Sequence, residues 1–267
     1  MIDIHNHLLI GVDDGPQSEQ EAIDLLKQAK NNGITDIITT PHHYGGDYVN
    51  PKSKIMANMD KLTDIIEQHQ LDINVYPGQE IRINGDLVKE LETGVNLSLN
   101  QTKYVLIEFS FTEVANYTER LFFDLQMQGY MPVIAHPERI RPITKDPNQL
   151  YHLVEKGAIA QITAGSVAGA LGEGLQQQSL EMIRHNHIHF VGSDAHHATM
   201  RPFMLKEAYE VIERELGTDY VAYLQKNAEA ILHDKEVTVK APKQFNTAEQ
   251  TKKHKKKRSI WSYFKGK

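Results

Sequence analysis

The sequence alternates short β-rich runs with amphipathic helical stretches over most of its 267 residues. This alternation is typical of a parallel sheet whose strands are joined by helical crossovers. The predicted strands cover residues 2–7, 36–42, 73–81, 104–110, 132–136, 158–164 and 189–196. The predicted helices cover residues 18–31, 52–68, 86–92, 117–128, 148–156, 175–186, 200–216 and 219–233. We therefore predict a fold of the α/β class.

Seven parallel strands can close into a barrel or form an open, doubly wound sheet. No glycine-rich nucleotide-binding motif follows the first predicted strand, which disfavours the open sheet. The length suits a single α/β barrel, and the sequence contains no internal repeat. We predict one barrel over residues 1–236 and a flexible tail over residues 237–267.

The charge is unevenly distributed along the chain, whose net charge is −6. From residue 240 onwards there are ten Lys and Arg residues and one acidic residue, which leaves 19 basic and 34 acidic residues before it. The acidic body argues against nucleic-acid binding. The tail ends in KKHKKKRSIWSYFKGK, and such basic and aromatic clusters bind anionic membrane surfaces. There are two alternatives to a membrane-binding tail. The tail could be a solvated extension, or it could dock on the acidic body of the protein.

The sequence gives two expectations about location and chemistry. The opening MIDIHNHLLIG does not resemble a secretory signal, and no run approaches about 18 apolar residues. We expect a cytoplasmic protein, which a membrane-binding tail would hold at the inner face of the membrane. The chain has no cysteine, which excludes disulfides, thiolate metal sites and cysteine nucleophiles.

Almost every predicted strand ends in a side chain that can bind a metal ion. In α/β barrels these strand ends and the loops after them meet at one mouth. The candidate ligands are His5, His7, Asp14, His42, Glu80, Glu108, His136, Asp194 and His196. Two pairs of these ligands, His5 with His7 and Asp194 with His196, are spaced i, i+2. This spacing places both side chains of a pair on one face of a strand. A buried histidine held by a backbone carbonyl is the ordinary alternative, but two such pairs favour a metal centre.

Nine ligands of mixed imidazole and carboxylate type exceed the capacity of one ion, so two or three ions fit better. This ligand chemistry suits Mn, Fe or Zn and not a dedicated Ca or Mg site. Several divalent ions would outweigh the carboxylate charge and attract a phosphate dianion. Arg139 and Arg201 follow metal-bearing strands, where a guanidinium can bind phosphate bidentately. Surface salt bridges are the alternative for both, and Arg82 is a weaker candidate.

Six motifs in order carry a family resemblance: HNHLLIGVDDGP, TTPHH, PGQEIR, VLIEFS, AHPER and GSDAH. From Met1 to about His233 the sequence resembles the polymerase-and-histidinol-phosphatase (PHP) superfamily. Within it, the motifs are most similar to the manganese-dependent bacterial tyrosine-protein phosphatases of capsular polysaccharide loci. The tail is not covered.

The resemblance implies a distorted seven-stranded (β/α) TIM-like barrel with three divalent ions, most often Mn²⁺, at the C-terminal strand ends. It assigns one ion to His5, His7, Glu80 and Asp194, a second to Glu80, Glu108 and His136, and a third to Asp14, His42 and His196. It also implies that Arg139 and Arg201 bind the phosphate group of the substrate. The implied substrate is phosphotyrosine in the C-terminal tyrosine cluster of a bacterial tyrosine kinase that controls capsule or exopolysaccharide synthesis.

Three alternatives remain open at this point. A PHP-type small-molecule phosphatase, for example one acting on histidinol phosphate, would use the same ligands. An amidohydrolase loads metals at the same strand ends but commonly bridges them with a lysine near mid-chain. A non-catalytic adaptor docked to the membrane through the tail would tolerate the loss of ligands, and none is lost here.

The first prediction is that hydrolysis depends on metal and not on thiols. Because the chain has no cysteine, alkylation should leave phosphatase activity unchanged. A chelator should abolish the activity, and Mn²⁺ should restore it. Full activity after exhaustive chelation and dialysis would contradict the metal-dependent mechanism.

Overall fold

The structure is a computed structural model that describes residues 1–44 and 47–246. In this part of the chain, strands alternate with helices and neighbouring strands of both sheets run parallel. The strands are β1 Ile2–Asp3, β2 Asp36–Thr39, β3 His42–His43, β4 Asn74–Pro77, β5 Glu80–Arg82, β6 Tyr104–Glu108, β7 Met131–Ala135, β8 Ile159–Thr163 and β9 Phe190–Gly192. The predicted α/β class is confirmed.

Ten α-helices lie between and after these strands in the described residues. They are α1 Glu19–Asn31, α2 Lys52–Gln68, α3 Leu87–Glu92, α4 Thr118–Met127, α5 Arg141–Lys145, α6 Asn148–Glu155, α7 Ala164–Ala168, α8 Glu173–Arg184, α9 Leu205–Leu216 and α10 Thr218–Leu232. The five-residue helices α5 and α7 were not predicted, because so short a segment shows no helical period.

The start of α9 differs most from its predicted position at residue 200. The backbone N–H groups of His196 and His197 both donate to the carbonyl of Arg201, which holds the intervening residues in a loop. Pro202 follows directly and has no N–H to offer a helix. The helix therefore begins only at Leu205.

Two predicted strands are each interrupted, at neighbouring points of the fold. Pro41, which cannot donate to a strand ladder, lies between β2 and β3. Gly78 lies between β4 and β5, and a Cβ atom there would approach Ile38 Cγ2 to 2.8 Å and the Thr39 carbonyl oxygen to 2.9 Å. Only glycine fits so close an approach, so these two breaks divide the strands between two sheets.

The strand order is β1-β2-β4 in one sheet and β3-β5-β6-β7-β8-β9 in the other. Outside these ladders, the segment that follows β9 is hydrogen-bonded to the segment that follows β1. The N–H of Asp194 donates to the His5 carbonyl at 2.7 Å, and that of His7 donates to the Ala195 carbonyl at 2.8 Å. The parallel sheet is therefore curled, and the segments after β1 and β9 lie side by side.

Side chains of β6 alternate between two hydrophobic clusters, as the period of a strand requires. Tyr104 and Leu106 belong to a small cluster made mostly of strand residues and closed by α10. Val105 and Ile107 belong to the large cluster, which contains the apolar faces of the helices. Glu108 follows Leu106 by two residues, so it continues the inner face of the strand at its C-terminal end.

Contacts with the body continue past residue 236, where the barrel was predicted to end. The N–H of Thr238 donates to Asn227 Oδ1, and Phe245 exchanges two hydrogen bonds with Asn148. The Phe245 ring also stacks on His185, with 3.9 Å between ring centroids. Residues 237–245 therefore pack on the body, whereas the basic and aromatic end of the tail lies outside the described residues.

We predict that His189 destabilises the fold as the pH falls. Burial, together with the nearby His187, lowers the pKa of His189 to about 3, against about 6.5 in an unfolded chain. Between these values the unfolded state binds the extra proton, so the free energy of unfolding decreases as the pH drops below about 6.5. His189→Asn, whose Oδ1 can accept the Ala160 N–H as Nδ1 does, should reduce this slope by up to about 1.4 kcal/mol per pH unit.

Urea unfolding of both proteins between pH 4 and pH 7 measures the slope. The matched control is His152→Asn, because His152 is solvent-exposed on α6. Equal slopes for wild type and His189→Asn would show that His189 does not cause the acid sensitivity.

Candidate metal centre

The nine predicted ligands converge on one region of the fold. Glu80, at the start of β5, lies at its centre. Its carboxylate oxygens lie 2.8 Å from His42 Nδ1, 2.8 Å from His136 Nε2, and 3.4 Å from the Nε2 atoms of both His5 and His7. His42 is the most exposed of these groups, at 16% of its side chain. Four imidazoles from three segments of the chain therefore surround one buried carboxylate.

The remaining carboxylates flank this group. Asp194 Oδ1 lies 3.4 Å from His7 Nε2 and 3.7 Å from His5 Nε2. Asp14 reaches in from the loop after β1, with its Oδ1 3.3 Å from His196 Nε2. Glu108 Oε2 lies 3.8 Å from His42 Nδ1. All nine candidates thus contact at least one other candidate.

Several buried atoms of this cluster have no hydrogen-bond partner. They are the Nε2 atoms of His5, His7 and His196, and the Oε2 atom of Glu108. Leaving buried polar atoms unpaired is costly. Atoms about 2.1 Å from a shared ion lie about 3.0–3.4 Å apart, which matches the 3.3–3.4 Å separations seen here. The residues present therefore fit divalent metal ions.

The surrounding residues orient the imidazoles so that Nε2 points into the cluster. His7 Nδ1 donates to Asp13 Oδ2, and His5 Nδ1 donates to Gln161 Oε1, both at 2.8 Å. His196 Nδ1 donates to the carbonyl of Asp194 at 2.9 Å. A proton on Nδ1 leaves the Nε2 lone pair free, which is the arrangement that metal-bound histidines require.

Sequence reasoning missed the two side chains that do this orienting. Asp13 stands beside Asp14 in the same motif, and only the fold distinguishes their roles. Asp13 is buried, and its second oxygen accepts the Gly15 N–H. Gln161 is a polar residue within the apolar strand β8, and this interruption was an available signal.

The possible ligands group differently from the predicted sets, because His7 also joins Asp14, His42 and His196, and Asp194 is absent from the group of His5, His7 and Glu80. Among the described residues, ligand atoms lie within 4.8 Å of one another in three groups: His7, Asp14, His42 and His196; His5, His7 and Glu80; and His42, Glu80 and Glu108. The third group contains His42 where His136 was expected. His136 Nε2 instead contacts Glu80, and its Nδ1 has no partner.

Two candidate ligands have left-handed backbone conformations that non-glycine residues seldom adopt. His136 has φ +32° and ψ +56°, and Asp194 has φ +55°. His136 directly follows the last residue of β7, and Asp194 lies two residues after the end of β9. The left-handed backbone at each position therefore turns the side chain away from the direction of its strand. Such strain costs about 1–3 kcal/mol and is concentrated at functional sites.

The charges of the cluster are strongly coupled. Burial alone would raise the pKa of Glu80, but the charges of His5 and His42 hold it well below its ordinary value. Burial and the neighbouring Glu80 charge raise the pKa of Glu108. Burial, with the charge of His7, lowers the pKa of His196 to about 4, so this imidazole is neutral near pH 7. Cations among these groups would relieve the repulsion between the two glutamates.

The two predicted phosphate-binding arginines meet at one carboxylate. Arg139 Nη1 and Arg201 Nη2 donate to Asp194 Oδ2 at 2.5 and 2.7 Å. Both guanidiniums remain partly exposed, at 26% and 36% of their side chains. Arg139 also lies over the ring of Phe111, 4.9 Å from its centroid, a contact that sequence reasoning did not anticipate. The weaker candidate Arg82 lies 3.5 Å from Glu108.

Both the sequence and the structure are similar to those of known proteins. The sequence model of a family described as capsular polysaccharide synthesis, CpsB/CapC, matches residues 1–233. The chain belongs to this family. The resemblance deduced from the six motifs is thereby confirmed.

Relatives in the CpsB/CapC family resemble this chain over nearly its whole described length. Tyrosine-protein phosphatase YwqE of Bacillus subtilis is 46% identical over 242 residues, which is 91% of this chain and 95% of the relative. A chain from the crystal structures of YwqE from Bacillus subtilis and CpsB from Streptococcus pneumoniae, described as metal-dependent tyrosine phosphatases, superimposes with a TM-score of 0.90. It is 45% identical, and the match covers 92% of this chain and 100% of that one.

More distant structures share the fold alone. An amidohydrolase from Mycoplasma synoviae matches with a TM-score of 0.58 at 9% identity, over 92% of this chain and 90% of that one. The similarity agrees with a curled parallel α/β sheet of the TIM-barrel type. Within the described residues, no helix is long and apolar enough to cross a membrane.

We predict that Asp13→Asn weakens metal binding. The substitution keeps the shape of the side chain but removes the charge that orients and polarises His7, and loss of such a partner typically costs 10–100-fold in metal affinity or activity. Titration calorimetry of Mn²⁺ into metal-free protein measures the affinity. Asp60→Asn on the exposed face of α2 is the control and should match wild type. Unchanged affinity in Asp13→Asn would argue against His7 Nε2 as a ligand.

Proposed function

We propose that this protein is a metal-dependent protein-tyrosine phosphatase that hydrolyses the phosphate monoester of phosphotyrosine. The observation that carries the proposal is the buried carboxylate of Glu80 surrounded by four imidazoles, with two arginines paired on Asp194 at its edge. The family membership and the names of the relatives support the same activity.

We assign the metal centre three divalent ions, with Mn²⁺ as the preferred metal and Fe or Zn as alternatives. Imidazole and carboxylate ligands without thiolate suit these metals. The nine ligands are His5, His7, Asp14, His42, Glu80, Glu108, His136, Asp194 and His196. When bound, such ions lower the pKa of water and offset the charge of a phosphoryl group.

The arginines of this site would bind the phosphoryl oxygens of the substrate. Arg139 and Arg201 both donate to Asp194 Oδ2, so each has further N–H groups free for a second acceptor. Their planar guanidiniums would stabilise the charge that develops on the equatorial oxygens during transfer. The tyrosyl oxygen leaves as a phenolate of pKa about 10, so the reaction has little need of a general acid.

The fold and the chain organisation complete this proposal. We take β2 with β3, and β4 with β5, as two interrupted strands, which gives a distorted seven-stranded (β/α) barrel with the metal site at its C-terminal mouth. We retain the division into a phosphatase barrel and a basic C-terminal tail. Residues 237–245 of this tail pack on the body.

The partner would be a bacterial tyrosine kinase whose C-terminal tyrosine cluster is dephosphorylated, in a system that controls capsule or exopolysaccharide synthesis. The protein would work in the cytoplasm. The basic tail would bring it to the anionic inner face of the membrane, although its sequence lies outside the described residues.

A direct comparison of substrates tests the proposed activity. The Mn²⁺-loaded protein should hydrolyse a phosphotyrosine peptide with a kcat/KM at least about tenfold above that for histidinol phosphate. The opposite preference would favour the small-molecule phosphatase, and no turnover of either would refute the phosphatase.

Arginine variants show whether the activity arises at this site. Arg139→Ala and Arg201→Ala should retain their metal and lose roughly 10²–10³ in rate, the scale of losing one transition-state charge stabiliser. Arg120→Ala, on the exposed surface of α4, is the matched control. Loss of metal in Arg139→Ala or Arg201→Ala would contradict their assignment to phosphate.

A further inference from the structure

A pocket of about 240 Å³ opens beside the two arginines, and no histidine of the metal centre lines it. Arg139, Arg201 and Asp194 form its charged end. Its other walls come from α7, the residues after it, and the segment around Arg201. These walls are mostly apolar, with contributions from Ala170, Leu171, Met200, Pro202 and Met204. The pocket is therefore charged at one end and hydrophobic at the other.

The rim of the pocket exposes large apolar side chains. Met200 is 76% exposed and Leu171 is 53% exposed. Met200 directly precedes Arg201, and the hydrogen bonds from His196 and His197 to the Arg201 carbonyl tie this loop to the metal centre. An apolar rim held so close to a guanidinium suits a ligand that joins an anion to a hydrophobic group.

We propose that this pocket holds the aromatic ring of the substrate and thereby gives the site its preference for aryl phosphates. The inference rests on the proposed phosphatase function and adds residues that determine specificity. In an aryl phosphate the ring is separated from phosphorus by a single oxygen, so a phosphoryl group on the arginines places the ring in the adjoining space. Methionine sulfur makes favourable contacts with aromatic rings, and both Met200 and Met204 line the pocket.

Phe111 is an exposed aromatic side chain beside Arg139, and it provides a competing location for the ring. It is 40% exposed, but its face already carries the Arg139 guanidinium, and its centroid lies 5.7 Å from that of His136. A face that is occupied in this way offers less area to a substrate ring than a recessed pocket does.

Gly165 offers a way to fill the pocket without disturbing the metal centre. It lies in α7, and a Cβ atom built on it would meet only Met204 Sδ at 3.9 Å and Ala170 Cβ at 4.0 Å. Both neighbours line the pocket, and these distances are ordinary van der Waals contacts. A larger side chain at this position would therefore extend into the pocket.

The experiment compares two inhibitors that share an anionic group and differ in the ring. Phenylphosphonate and methylphosphonate are titrated into the Mn²⁺-loaded protein by calorimetry, and their ratio of dissociation constants measures the contribution of the ring. Wild type should bind phenylphosphonate more tightly. Gly165→Leu should reduce this preference by roughly tenfold or more, and Met200→Ala by roughly three- to tenfold, with methylphosphonate affinity unchanged in both.

The two pocket variants differ in how far they could disturb folding, and both are compared with a matched control. Met200 is exposed, so Met200→Ala tests the pocket even if Gly165→Leu fails to fold. Met127→Ala is the control, because Met127 is 69% exposed on α4, outside this pocket, and it should keep the wild-type ratio.

Three outcomes would overturn the inference. The ratio could stay unchanged in both pocket variants, the two phosphonates could lose affinity equally, or Phe111→Leu alone could abolish the preference. The proposed function is judged separately by peptide turnover. A wild type that hydrolyses phosphotyrosine but shows no ring preference would refute only the pocket, whereas ring preference without turnover would refute only the phosphatase.

Discussion

The burial of the Glu80 carboxylate among histidines is the constraint on which the rest of the site depends. A buried ionised carboxylate is costly unless opposite charge or strong hydrogen bonds compensate it. Here His5, His7, His42 and His136 approach it from three segments of the chain, and the charges of His5 and His42 hold its pKa low. In the loaded protein, metal ions would provide that compensation, and the histidines would act as ligands. The geometry of the strand ends must therefore bring all four imidazoles to one point.

The interrupted strands contribute to this convergence. The breaks at Pro41 and Gly78 lie side by side, and each is followed directly by a strand that starts with a candidate ligand, His42 or Glu80. These two residues are paired in register at the start of β3 and β5. An uninterrupted strand would continue its ladder in a single sheet, whereas the close contact at Gly78 lets the backbone change sheets just before the metal centre.

Asp194 links the metal cluster to the substrate side of the site. Its Oδ1 faces His5 and His7, and its Oδ2 accepts from both arginines, so one carboxylate lies between cations of two kinds. Burial alone would raise its pKa, but the neighbouring His7 imidazole, 3.4 Å away, and the charge of His5 hold it well below its usual range. The same residue also lines the pocket, so it is shared by the ligand cluster, the two arginines and the proposed ring site.

Strand periodicity and motif residues are local properties, so the α/β class and the family could be predicted from the sequence, and the nine candidate ligands could be named from it. Tertiary structure alone decided the roles of residues that the sequence cannot separate. Asp13 and Asp14 are adjacent, yet only the fold turns one to His7 Nδ1 and the other to His196 Nε2. Gln161, Phe111 and the pocket at Met200 likewise act through neighbours that are distant in sequence. Such contacts depend on how strands are registered and where a turn redirects a side chain, and no local pattern encodes either.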